Sequence, residues 1–315
     1  MFNGVINIYK EKGYTSFHVI SVLRHFTGEK KIGHTGTLDP DATGVLPVCI
    51  GRATKLVGQL TDTDKQYRAV MLLGRKTDTQ DISGNITWEM PADEVRRLVN
   101  EASVFSAFEK MTGDIGQIPP MYSAVKVGGV KLVDAARKGK TIERAERHVT
   151  VYGYSDITID MDSLEIGFTV DCSKGTYVRT ICEDIGAMMD CPACLKSLER
   201  TRSAGTTIED CVRLDDAISA AENGTLSGLI IPTDRFLLDH EYLIVRDDAI
   251  RKLTFGNYLN ENDFDPGVRS QEFPGNPGDP GEPGIYRIYD KNGNFYALYR
   301  YDNKDSYYKC EKMFV

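Results

Sequence analysis

A chain of 315 residues is long enough for one large and one small domain, and 41% hydrophobic with 27% charged residues is the composition of a globular enzyme. No apolar run approaches the roughly 20 residues a membrane-crossing helix needs, and the opening MFNGVINIYKEKG lacks the apolar core and small-residue cleavage site of a secretion signal, so the expected location is the cytoplasm. Seven scattered cysteines read as reduced thiols, and a net charge of −8 excludes a uniformly basic nucleic-acid binder. The charge is uneven, however. Residues 1–80 hold eleven Lys and Arg against seven acids, and residues 110–150 hold eight against four. A local basic face still grips phosphates, because screening limits the reach of distant charge.

In chain order, GVINIYK (4–10) reads as a strand, and Thr15 or Ser16 caps a helix with an apolar face of Phe17, Ile20, Leu23 and Phe26. A Gly/Thr/Pro loop over 33–44 leads into a buried strand (45–50) and a short helix (53–60). A strand follows at 66–74, a turn at 82–85 and one amphipathic helix over 92–108. Residues 112–129 are irregular and precede a basic helix at 130–140. Two long strands (148–160, 163–173) form a hairpin, and a helix spans 175–189. Consecutive strands beside interspersed helices predict an α+β fold with a mixed, largely antiparallel sheet. Past a boundary near 232–240 the short runs EYLIVRD, GIYRIYD and NFYALYRYD predict a small β-rich domain. Between them FPGNPGDPGEPGI (273–285) has glycine at every third residue. Its few repeats cannot sustain a triple helix, so a surface loop of polyproline character is expected.

The chemistry concentrates in GHTGTLDPDATGVLP (33–47). Gly33, Gly36 and Gly44 permit backbone shapes closed to other residues, and Pro40 keeps Asp39 out of helical geometry. Such a loop can hold one carboxylate rigidly in a cleft; without further context a plain loop whose Asp caps a helix is the favoured reading. The segment resembles the catalytic-aspartate motif of TruB-type pseudouridine synthases, GH-x-GTLDP-x-A-x-G. Further blocks are similar to that family in the same order. KQYRAVMLLGRKTDTQDISG (65–84) resembles the block with the active-site tyrosine. QIPPMYSAVKVGGVKLVDAARKG (117–139) resembles an RNA-gripping insertion, and CSKGTYVRTICEDIG (172–186) resembles the block with a tyrosine and an arginine. The tail resembles a PUA-type RNA-binding domain. The resemblance implies a catalytic domain over 1–235 with the insertion at about 110–147, and a PUA-like domain over 240–315.

By position, the resemblance implies that Asp39 is the nucleophile, that Arg179 pairs with it, and that Tyr67 lies against the uracil ring as a candidate for proton removal at C5. It implies that His34 fills the space left by an extruded base, that Tyr177 contacts the flipped nucleotide, and that Leu198 lines the uracil pocket. The implied reaction isomerises uridine 55 in the T loop of tRNA. It calls for no organic cofactor or metal, since base isomerisation neither oxidises nor consumes energy. The implied partner is the T-arm stem-loop of tRNA, with no membrane, no obligate protein partner and a monomeric protein. Two positions depart from the family pattern. Glu11 stands where K-P-x-G-x-T-S has proline, and Glu199 stands where Leu-Arg-Arg-Thr has its first arginine.

Three rival readings remain. Asp39, Asp41 and Thr43 fit the D-x-D-x-T of haloacid-dehalogenase-like phosphatases, but no apolar strand precedes Asp39. Cys191 and Cys194 have the spacing of thiol oxidoreductases, but follow a helix instead of opening one, and a lone pair is weak evidence for zinc. An RNA-folding binder without catalysis would use the same RNA-gripping parts. A guide-RNA-dependent relative is disfavoured by the 110–140 insertion and the absence of basic tails.

Overall fold

Alternation in KQYRAVMLL dictates a strand buried on one face, and the unbroken apolar run in TGVLPVCI a strand buried on both. Both form. The computed structural model describes residues 2–265, 276, 278 and 282–315. Its strands are β1 (Gly4–Lys10), β2 (Ile32–His34), β3 (Thr43–Ile50), β4 (Lys65–Leu73), β5 (Arg75–Thr77), β6 (Ile86–Glu89), β7 (Gly113–Gln117), β8 (Lys126–Val127), β9 (Val130–Lys131), β10 (Arg147–Asp160), β11 (Glu165–Cys172), β12 (Ala193–Ser203), β13 (Thr206–Thr207), β14 (Val212–Arg213), β15 (Tyr242–Ile244), β16 (Ile285–Tyr289), β17 (Phe295–Asp302) and β18 (Tyr307–Met313). The helices are α1 (Ser16–Thr27), α2 (Val57–Thr61), α3 (Ala92–Leu98), α4 (Glu101–Lys110), α5 (Leu132–Ala136), α6 (Val178–Met188), α7 (Leu214–Glu222) and α8 (Ile250–Thr254).

One sheet has the spatial order β14-β1-β3-β12-β4-β11-β10-β7, with β2 added to β3 and β13 to β12. Among the described residues, only the β14–β1 and β12–β3 strand pairs of this sheet are parallel. The sheet is therefore mixed and largely antiparallel, in an α+β fold. Helices α4 and α6 pack against β4, β11 and β12 in the largest apolar cluster, which includes Phe108, Phe168, Ile181 and Ile185. Helices α1 and α7 cover β1 and β3 in a second cluster through Val19, Ile20, Leu23 and Ala217. A separate four-stranded sheet, β15-β16-β17-β18, has its own core around Tyr286, Ile288, Tyr299 and Tyr308. It joins the large sheet through a shared cluster in which Leu298 and Phe314 meet Val5, Cys49 and Leu56. No helix among the described residues is long and apolar enough to cross a membrane.

Several elements differ from the sequence reading. Helix α1 is capped by Thr15, whose hydroxyl accepts the His18 N–H, but its buried face is Ser16, Val19, Ile20 and Leu23, while Phe17 is 67% exposed. The expected helix over 92–108 is two helices. Asn100 opens α4 with a reciprocal cap, its side chain accepting from Ser103 N and its own N–H donating to Ser103 Oγ. Within 112–129, Gly113–Gln117 is a strand that extends the sheet beside β10. The basic helix shrinks to the five residues of α5, because β8 and β9 take the preceding residues into a hairpin. The 53–60 helix begins as a tighter 3-10 turn over Gly51–Leu56. Most of the Pro/Gly stretch at 273–285 lies outside the described residues.

Gly44 is where the fold leaves no room. Its φ is +104°, and a Cβ there would sit 2.2 Å from the Arg200 carbonyl oxygen on β12. Gly44→Ala is expected to cost at least about 2 kcal/mol, read as a lowered urea midpoint. An unchanged midpoint would contradict the packing of β3 on β12.

Candidate active site

Asp39 lies in the loop between β2 and β3, flanked by Leu38 and Ala42, both of which sink into the main apolar cluster. The loop is held from three sides. Ser16 Oγ accepts the Leu38 N–H at 2.9 Å and donates back to the Leu38 carbonyl at 3.3 Å. Lys10, fully buried at the end of β1, donates Nζ to the carbonyls of Pro40 (3.1 Å), Tyr14 (2.6 Å) and Glu11 (3.1 Å). Arg200, buried in β12, donates Nε to the Val45 carbonyl at 2.7 Å and Nη2 to the Gly36 carbonyl at 3.2 Å. Burial pushes the Lys10 ammonium down to about 8, with Asp39 and Asp41 opposing that fall.

With its neighbours anchored, the Asp39 carboxylate projects from the loop, its side chain 44% exposed. Arg179, from the first turn of α6 and only 6% exposed, places Nη2 3.2 Å from Asp39 Oδ2. The same guanidinium binds the Tyr122 carbonyl (2.9 Å) and the Thr79 carbonyl (3.2 Å), and lies 3.5 Å from Asp81 Oδ2. Burial raises the Asp39 carboxyl above its ordinary value. Arg179 and Lys10 pull it down, and the charges of Asp81 and Asp41 push it up.

Tyr67, on β4, is buried in the same cluster as Leu38 and Ala42. It lies opposite Arg200 in the β4–β12 register. Burial raises its phenol, the Arg200 charge opposes that rise, and the Asp39 charge reaches it. Leu198, two residues before Arg200, is half-buried and packs on this cluster. His34 ends β2 half-buried, with an Nδ1 that has no hydrogen-bond partner; burial and then the Arg200 charge lower its pKa. Tyr177 is the residue before α6. Its N–H donates to Gln117 Oε1 (3.0 Å), and its carbonyl accepts from Gln117 Nε2 (3.2 Å).

The geometry thus joins Asp39 to Arg179 directly and sets Tyr67 and Leu198 in the apolar wall beside them. It shows no hydrogen bond from His34 or Tyr177 to the carboxylate. The sequence reading missed Asp81, Lys10, Arg200 and Gln117. A usable signal existed for Arg200 and Lys10, since a cation inside a strand of a central sheet must find buried partners. The two departures from the family pattern have local partners. Glu199 accepts from Tyr9 Oη (2.7 Å) and pairs with Arg68 (2.9 Å), and Glu11 pairs with Arg213.

The rival motifs fare differently. Asp39 follows a turn and not the end of an apolar strand. Cys191 and Cys194 are free and buried, and burial raises both thiols, Cys194 to about 11, away from the thiolate a redox pair needs.

Removing Arg179 takes away the strongest pull on the Asp39 carboxyl. Arg179→Gln is therefore expected to raise its pKa, followed by carbon-13 NMR titration with the resonance assigned from Asp39→Asn. An unmoved titration would contradict the pairing.

A family model described as TruB family pseudouridylate synthase (N terminal domain) matches residues 24–178, and one for the tRNA pseudouridylate synthase B C-terminal domain matches 179–238. Their junction falls inside α6, so the second segment supplies Arg179 on that helix and Leu198 and Arg200 on β12, a strand of the sheet begun by the first. Among curated relatives, tRNA pseudouridine synthase B of Lachnoclostridium phytofermentans is 42% identical, covering 99% of this chain and 100% of that one. The protein of the same name from Limosilactobacillus reuteri is 38% identical, covering 99% of both. Among solved structures, an H/ACA RNP bound to a substrate RNA containing 2′-deoxyuridine aligns with a TM-score of 0.67 at 22% identity, over 99% of this chain and 85% of that one. A Cbf5-Nop10-Gar1 complex aligns with a TM-score of 0.67 at 24% identity, over the same shares, a likeness of fold. On the length of these matches, the chain belongs to the TruB family of pseudouridylate synthases.

Proposed function

We propose that this protein isomerises uridine 55 in the T loop of tRNA to pseudouridine, with Asp39 as nucleophile once the target base has been flipped out. The observation that supports it best is a loop-clamped carboxylate, partly open to solvent, paired with an almost fully buried guanidinium. The reaction breaks the C1′–N1 glycosidic bond, turns the uracil and rejoins it through C5. An ionised carboxylate beside the sugar and base can trap the fragment between those steps. Arg179 keeps that carboxylate charged and aimed. Tyr67 takes the place against the uracil ring and is the candidate for removing the C5 proton, with Leu198 completing the apolar pocket. His34 occupies the gap left in the RNA, and Tyr177 contacts the extruded nucleotide.

In this reading residues 1–235 form the catalytic domain, the insertion at about 110–147 grips the RNA, and residues 240–315 act as a PUA-like RNA-binding domain. The protein works as a monomer on the T-arm, in the cytoplasm and without an obligate protein partner.

The test is to incubate purified protein with an unmodified T-arm stem-loop and map pseudouridine chemically. Wild type is expected to modify one loop uridine. Asp39→Asn is expected to lose turnover by about a thousandfold or more while still binding tRNA. A wild type that binds tRNA but forms no pseudouridine would make the protein an RNA-folding binder instead. Tyr67→Phe is expected to slow turnover by about a hundredfold with little change in tRNA affinity, and unchanged turnover would refute its assigned role.

A further inference from the structure

The catalytic loop is bolted to one other surface feature, the turn and first helix that follow β1. Gly13 N–H donates to the Pro40 carbonyl at 2.9 Å, Lys10 Nζ bridges the Tyr14 and Pro40 carbonyls, and Ser16 Oγ is bonded to Leu38 in both directions. Whatever rests on this turn is therefore in fixed register with Asp39. Its outer face is unusual for a chain of net charge −8. Phe17 is 67% exposed and Tyr14 37% exposed, and the Tyr14 ring stacks on His18 at 4.8 Å with only 13° between planes. No side chain of the core calls for these rings, since the buried face of α1 is Ser16, Val19, Ile20 and Leu23. From Lys12 to Gly28 the sequence contains no acidic residue, and Lys12, Arg24 and His25 are exposed along the same stretch.

We infer that this face, comprising Lys12, Tyr14, Phe17, His18, Arg24 and His25, is an additional docking surface for the RNA substrate beside the catalytic loop. Exposed flat rings among cations, on a stretch with no acid between Glu11 and Glu29, suit one occupant, unpaired nucleotides with their phosphates. Every base has a face to stack, and each phosphate finds a positive partner. The pinning to Leu38 and Pro40 then explains why such a surface lies here. Nucleotides held on it are presented at a fixed offset from the carboxylate, so affinity gained on α1 also positions the target uridine. The inference rests on the RNA reading above and adds to it a contact surface on a helix outside the aspartate loop.

The test compares wild type with Phe17→Ala, with the double variant Tyr14→Ala/His18→Ala, and with Phe17→Tyr. Phe105→Ala, at a ring 51% exposed on α4, serves as the control. Thermal melts followed by circular dichroism establish that each variant is folded. Kd for full-length tRNA and for the T-arm stem-loop is measured by filter binding, alongside the single-turnover rate at saturating RNA. The two truncations are expected to weaken both RNAs by about tenfold, in proportion to lost stacking. Phe17→Tyr should hold wild-type affinity, Phe105→Ala should change nothing, and the saturating rate should fall far less than the affinity. Folded truncation variants that bind as wild type does, while wild type forms pseudouridine, would overturn the inference and leave the proposed function intact. A wild type that binds no tRNA would sink both. A change in oligomeric state by light scattering, with tRNA affinity unaltered, would make the face a self-association surface and overturn the inference too.

Discussion

One buried guanidinium ties the site together. Arg179 contacts Asp39, Thr79, Asp81 and Tyr122, so a single side chain on α6 gathers three segments remote from it in sequence. A cation withdrawn from water is costly unless every face is matched, and here two carboxylates and two carbonyls supply the match. The constraint is mutual. Without the guanidinium, Asp39 and Asp81 would face each other as like charges, and burial would favour protonation of the Asp39 carboxyl. Asp81 is itself fixed, its Oδ1 accepting from Thr79 Oγ1 and from Ser83 N–H. The guanidinium thus meets a rigid partner on one side and the aspartate it orients on the other.

The same logic recurs along the Asp39 loop. A loop without regular structure still has main-chain carbonyls that need donors. Gly36 and Val45 receive theirs from Arg200, and Pro40 from Lys10 and the Gly13 N–H, while Leu38 bonds to Ser16 through both its N–H and its carbonyl. Buried cations take the place of strand pairing from Gly36 to Pro40. They also set positive charge around Asp39 and beside Tyr67, so the groups that hold the backbone tune those two side chains as well. Gly44 is the steric counterpart, letting β3 come close enough to β12 for Arg200 to reach the loop.

The small sheet is attached through packing and not by a flexible tether alone. Leu298 and Phe314 share a cluster with β1, β3 and α2-side residues, and Lys55 Nζ donates to the Met313 carbonyl at 2.5 Å. Arg287, fully buried, reaches the His240 carbonyl and the Tyr289 hydroxyl, and that hydroxyl donates to Asp234. The junction between the sheets therefore holds a buried polar network beside the apolar cluster, and the small sheet has a defined orientation relative to the Asp39 loop.

By itself the sequence determined the strands β1, β3, β4, β10, β11 and the helix α6, because their apolar periodicity and turn residues are local properties. It also singled out Asp39, Tyr67 and Arg179 as candidates, through motif blocks whose residues lie close together in the chain. It misjudged Phe17, since an apolar residue at helical spacing does not reveal which way the helix is rolled, and it fused α3 with α4, since the Asn100 cap lies inside an otherwise continuous pattern. What only the tertiary structure decided is which buried charges meet. That Asp81 shares Arg179, that Lys10 and Arg200 hold the loop, and that Gln117 pins Tyr177 all depend on contacts between segments up to 164 residues apart. Local periodicity does not name the partners, because a cation inside a central strand signals that it needs buried acceptors without saying which carbonyls of which distant segment supply them.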